Sequence, residues 1–152
     1  MAPQSPELVN PVATAEQHEH EQRALEVTRH PLVVEAFDRT REHWLSKAAP
    51  SPAMRSRFDA CFEEVMFSAA VWSLNQDPER PKVVTITRLA HEIGGLQVPG
   101  SRWGIDNPDS VYRVIPISGD ERYLIHGRVR EERLAENYFT LWAENFNTVD
   151  VL

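Results

Sequence analysis

Between Pro52 and about Leu74, apolar residues recur at helical spacing: Met54, Phe58, Cys61, Val65, Ala69 and Trp72, with Phe62 and Met66 widening the stripe. Ser51 is placed to cap this helix, Pro52 suits its first turn, and Asn75-Gln76-Asp77-Pro78 stops it. From Val65 onward almost every face is apolar. Such a helix is stable only when other elements surround it. Its second half is therefore predicted to be the central core element, with Phe62, Val65, Met66, Ala69 and Trp72 mostly buried. The rest of the chain must supply the cover.

At 152 residues, 41% hydrophobic and 26% charged, the chain has room for one domain that buries roughly two-thirds of its unfolded surface. Residues 1–13 hold three prolines and little to bury, and read as a flexible arm. Residues 14–152 form a single α+β domain, helical over 14–77 and loop and sheet over 80–152. Thr14-Ala15-Glu16-Gln17 fits a capping box. It opens a helix to about Thr28 whose few apolar residues place it on the surface. His30-Pro31 ends that helix and starts another, in which Val33, Val34, Phe37, Trp44 and Leu45 form one apolar stripe.

After the third helix the pattern changes. Val83 to Thr87 has the β-branched composition of a strand, and Gly94-Gly95 terminates the short segment after it. Val111–Ile117 and Arg122–Val129 read as a hairpin joined by Ser118-Gly119-Asp120-Glu121. On its second strand Tyr123, Ile125 and Val129 alternate with Arg122, Leu124, His126 and Arg128, a pattern that buries one face and leaves the other polar. Pro116 leaves one side of the first strand unpaired or bulged. Asn137–Ala143 is a third strand and Thr148–Leu152 starts a fourth. Helices followed by antiparallel strands make an α+β class.

The formal net charge of −7 argues against broad electrostatic binding of nucleic acid or an anionic membrane. The lone Cys61 excludes an internal disulfide, and its apolar setting predicts a buried thiol. The first residues lack a signal-peptide pattern and no apolar run spans a bilayer. The expectation is a cytoplasmic protein. His18-Glu19-His20-Glu21 has the composition of a metal cluster, but helical residues two apart point roughly 200° from each other, whereas paired histidine ligands want a spacing of three or four. It reads as a solvated face, His43 and His91 as surface or capping histidines, and Glu63-Glu64 as the polar flank of the third helix. No metal site and no cofactor is expected, and no catalytic or nucleotide-binding motif is present.

Most chemistry-bearing residues gather between Val98 and Val129, a stretch with four of the six glycines in which a compact loop runs into the hairpin. Asp106, Tyr112 and His126 are the candidates for acid-base or orienting roles. Arg102 and Arg113 are candidate anion clamps, and with Trp103, Asp109 and Trp142 they are the candidate ligand-binding residues. The alternative is structural. Asp106-Asn107-Pro108-Asp109 is rich in turn formers, and Arg102 or Arg113 would then pair with Asp106 or Asp109 only to fix the loop.

The segment PGSRWGIDNPDSVYRVIPISGDERYLIHGRV, with NYFTLWAENFNTVDVL after it, resembles the front half of bacterial DUF1214- and DUF1254-like proteins of unknown function. The motif that carries the resemblance is Asp106-Asn107-Pro108-Asp109 and then Tyr112 and Arg113, and the similar region spans about residues 80–152. The resemblance implies a β-sandwich continuing beyond the present sequence, so that these residues are an incomplete unit, and it assigns no catalytic residue.

Two functional classes remain open on this reading. One is a small-molecule site, enzymatic or purely binding, at the 98–128 loop and hairpin, for an anionic or partly apolar ligand. The other is a structural or interaction module that completes a β-sheet with a partner chain. Asn147–Leu152 is strand-like with Asp150 its one charge, weak protection for an edge, so self-association or a second chain is expected through the C-terminal strand.

Overall fold

Three helices are followed by short antiparallel strands, an α+β layout, in the computed structural model, which describes residues 14–102, 111–127, 139–143 and 148–151. The helices are α1 (Ala15–Thr28), α2 (Pro31–Ala48) and α3 (Pro52–Ser73). The strands are β1 (Val84–Thr85), β2 (His91–Ile93), β3 (Leu96–Val98), β4 (Arg113–Val114), β5 (Thr140–Trp142) and β6 (Thr148–Val151). The chain divides into two compact units, Met1–Glu121 and Arg122–Leu152.

In the first unit the caps agree with the sequence. The Thr14 hydroxyl accepts from the Gln17 amide at 3.1 Å, and the Ser51 hydroxyl from the Met54 amide at 3.4 Å. Pro31 and Pro52 each occupy a first-turn position, where no amide hydrogen is needed. α2 ends at Ala49, which takes the left-handed conformation (φ 40°, ψ 53°) so that its amide can reach the Leu45 carbonyl. That conformation crowds a Cβ.

The core joins Ala24 and Leu25 of α1, Phe67, Ala70 and Val71 of α3, and Val84, Ile86, Ile93 and Val98 from the strands. Two sequence expectations change here. α1 is a core element rather than a surface helix, and its buried stripe is Gln17, His20, Glu21, Ala24 and Leu25. α3 buries Phe67, Ser68, Ala70 and Val71, a face rotated away from the predicted stripe. Phe62, Val65, Met66 and Trp72 are only half-buried, Ala69 is exposed, and the Cys61 thiol is exposed rather than buried. Because the second half of this helix is apolar nearly all round, polar anchors choose its orientation. His20 Nε2 meets the Val71 carbonyl at 2.6 Å, an acceptor left open because the Asn75 amide turns to Trp72. The Ser68 hydroxyl accepts from the Arg102 amide at 2.6 Å.

α2 is less deeply held. Leu45 is its buried residue, Val33 and Phe37 are half-buried, and Val34 and Trp44 of the predicted stripe are exposed. Arg41 crosses from α2 to Asp59 of α3 through both Nε and an Nη atom.

The strands pair differently from the predicted hairpin. β4 pairs antiparallel with β1, Val84 opposite Val114 and Thr85 opposite Arg113. Residues 122–127 are not strand; Ile125 is exposed there and Tyr123 half-buried. The hairpin of the first unit is β2–β3, with His91 opposite Val98 and Ile93 opposite Leu96. Gly94 and Gly95 form its two-residue turn at φ 57° and 84°, as a type I′ turn requires. Its inner face carries Ile93 and Val98, while on the outer face Gln97 donates to Glu92 at 3.0 Å.

In the second unit β5 and β6 pair antiparallel, Thr140 opposite Val151 and Leu141 opposite Asp150. The register shifts between Leu141 and Trp142, so Val149 is the extra residue on β6. Phe139, Leu141, Trp142 and Val149 are all exposed, as are Leu124 and Ile125.

Candidate functional site

The densest polar chemistry of the first unit lies under α1. Glu21, 1% exposed, accepts from one Arg88 Nη atom on both carboxylate oxygens at 2.6 Å each. Its Oε2 meets His91 Nε2 at 3.0 Å, and its Oε1 accepts from Gln17 Nε2 at 3.0 Å. The Gln17 amide group does a second job. It donates to the Thr85 carbonyl at 3.1 Å and accepts from the Thr85 amide at 2.9 Å, treating a strand residue as a neighbouring peptide would. Gln17 thus supplies only half of the expected capping box: its backbone meets Thr14 while its side chain turns inward. Asn75 repeats the device after α3, bonding both the carbonyl and the amide of Lys82.

A buried carboxylate and guanidinium both lose hydration, and the loss is tolerable only with close pairing and satisfied hydrogen bonds. Glu21 meets that condition. Arg88 meets it less fully, because its Nε has no hydrogen-bond partner, a feature unmatched among buried side-chain polar atoms of the described residues. The Arg88 backbone is fixed through Ser101, whose hydroxyl accepts from the Arg88 amide at 2.8 Å and whose amide donates to the Arg88 carbonyl at 2.8 Å.

Residues 100–102 continue this anchoring onto α3. Arg102 Nε donates to Glu64 Oε2 while the Arg102 amide holds Ser68. Gly100 sits where a Cβ would lie 2.9 Å from Glu64 Oε1 and 3.3 Å from the Arg88 carbonyl, so a larger residue would push on both. Glu64 is thus a partner of the 100–102 segment rather than merely the polar flank of its helix.

The residues singled out from the sequence fall in three places. Arg102, Tyr112 and Arg113 lie in the first unit. Tyr112 packs against the core, its carbonyl accepts from the Ile86 amide at 3.1 Å and its amide donates to the Thr87 hydroxyl at 3.2 Å. Arg113 comes next on β4 with an exposed side chain. His126 and Trp142 lie in the second unit, both exposed. Trp103, Asp106 and Asp109 lie outside the described residues, and so do the pairings expected of the two aspartates. Sequence reasoning missed Gln17, Glu21 and Arg88, and took His91 for a surface or capping residue. The signal available was spacing: positions 17, 20, 21, 24 and 25 form one helical stripe if polar side chains are allowed to count.

Among the described residues no three histidine, cysteine or acidic side chains come together as metal ligands would. No helix among them is long and apolar enough to cross a membrane. In comparisons with known proteins, no family model, curated protein or solved structure matches the chain.

Proposed function

We propose that this protein is an association module whose β5–β6 ribbon pairs with the ribbon of a second copy. The observation that carries the reading is the exposure of Leu141, Trp142 and Val149 on a pair of strands, with Phe139 exposed just before β5. A lone two-stranded ribbon is marginal in water, and adding a strand buries apolar side chains while extending the hydrogen-bond ladder.

The two strands offer different edges. β6 carries Asp150 and the irregularity at Val149, both features that blunt an edge. Thr140-Leu141-Trp142 of β5 carries no charge, so in antiparallel pairing of two copies nothing there opposes like charge to like, even in a chain of net charge −7. The association expected at the C-terminal strand is therefore assigned to the edge of its neighbour. Light scattering on the wild-type chain is expected to give twice the chain mass, and Leu141→Lys a monomer with unchanged melting temperature. A wild-type monomer at all accessible concentrations would refute the reading. A cytoplasmic location belongs to the same proposal, supported by the single unpaired thiol, Cys61.

A small-molecule site in the first unit, at Tyr112 and Arg113 of the expected 98–128 segment, is the second reading. It is favoured by Arg113, whose side chain is exposed beside the half-buried Tyr112 and could meet an anion. Metabolite mass spectrometry on purified wild type and Arg113→Ala tests it: a small anion retained only by the wild type supports the site, and identical spectra remove it.

A further inference from the structure

We infer that His91 is a proton-dependent latch between the β2–β3 hairpin and α1. Both of its ring nitrogens face acceptors. Nε2 lies 3.0 Å from Glu21 Oε2, and Nδ1 lies 2.8 Å from the Leu89 carbonyl. A backbone carbonyl can only accept. The Glu21 carboxylate, which accepts from Arg88 on both oxygens, presents an acceptor as well. A neutral imidazole has one N–H and one lone pair, so it would set a lone pair against one of these oxygens. The geometry fits the ring that donates from both nitrogens, the imidazolium.

Among the described residues, Glu21 is the charged group paired with the ring and Arg88 is paired with Glu21 in turn. α1 contributes Glu21 alone at bonding distance, and Arg88 shares that carboxylate from the segment before β2. On β2 itself Glu92 lies on the opposite face, bonded to Gln97, and β3 (Leu96-Gln97-Val98) has no titratable side chain. Loss of one proton from His91 therefore removes a charge-assisted bond or turns a lone pair on the Leu89 carbonyl. Either change loosens the hairpin where His91 ties it to the helix. The stabilisation is present while the ring is protonated and is lost as pH rises and it deprotonates. Between about pH 5 and 8 imidazole is the side chain that ordinarily changes charge.

Nitrogen NMR of the His91 ring, with amide-exchange protection factors for Ile93 and Val98, tests the latch on the intact chain. Two protonated ring nitrogens are expected at the low end of that range. On raising the pH, one should lose its proton while hairpin protection falls about tenfold, the order expected for one charge-assisted hydrogen bond. In His91→Gln, which keeps a donor but cannot titrate, protection should not vary over the range. A bare ring nitrogen throughout, or the same pH course in both proteins, would overturn the inference.

Discussion

Glu21, read as part of a solvated face, organises an interior together with Arg88. Both are charged, and composition alone places them outside. Each is buried because the other is there, with Gln17 and His91 completing the carboxylate's bonds. Removing one charge strands the other. Glu21→Gln is predicted to destabilise by about 3–5 kcal/mol, the range for breaking a buried pair from one side. The double change Glu21→Leu with Arg88→Met is predicted to recover most of that loss, because it removes both desolvation costs together. Urea denaturation of the two variants checks this. Equal losses in the single and double variants would mean that the pair does not act as a unit.

Among the elements, α3 separates what periodicity can read from what it cannot. The existence, type and ends of the helix were legible from Ser51, Pro52 and the stop at Asn75-Gln76-Asp77-Pro78. Its orientation was not. The stripe from Met54 to Trp72 is real, but the opposite face is nearly as apolar, and hydrogen bonds from His20 and Arg102 select the second. Val71→Ala is therefore predicted to cost about 2–3 kcal/mol and Val65→Ala less than about 1 kcal/mol, by the cost of emptying a filled core site against a half-exposed one. Thermal melts that rank them the other way would restore the stripe through Val65. At the end of α2 the left-handed Ala49 predicts a gain: Ala49→Gly removes Cβ crowding of about 1 kcal/mol, less a smaller loss of backbone entropy. A lowered melting temperature would show that the strain lies elsewhere.

β-pairing was partly legible for a different reason. Gly94-Gly95 between His91-Glu92-Ile93 and Leu96-Gln97-Val98 is the signature of a tight hairpin, yet the glycines read as a terminator because the flanking strands are short. The pairing of β4 with β1 joins residues about thirty apart in sequence, and no local pattern encodes such a choice against a nearer partner. The candidate residues divide on the same principle. Tyr112 and Arg113 were singled out by residue type, whereas the Gln17–Glu21–Arg88–His91 network depends on α1 lying on the strands, which residue type alone does not reveal.

For the whole molecule, the two units differ in how they satisfy their side chains. The first closes a core and anchors it with buried polar pairs. The described part of the second leaves large apolar residues exposed on paired strands. The proposed association through β5 would cover those side chains. Amide exchange along Phe139–Leu141, measured at low and high protein concentration, tests it most directly. In a ribbon of two strands, amides pointing away from β6 exchange freely. On raising the concentration these outward amides are expected to become protected in wild type and to stay unprotected in Leu141→Lys. Outward amides that exchange freely at every concentration in the wild type would contradict it.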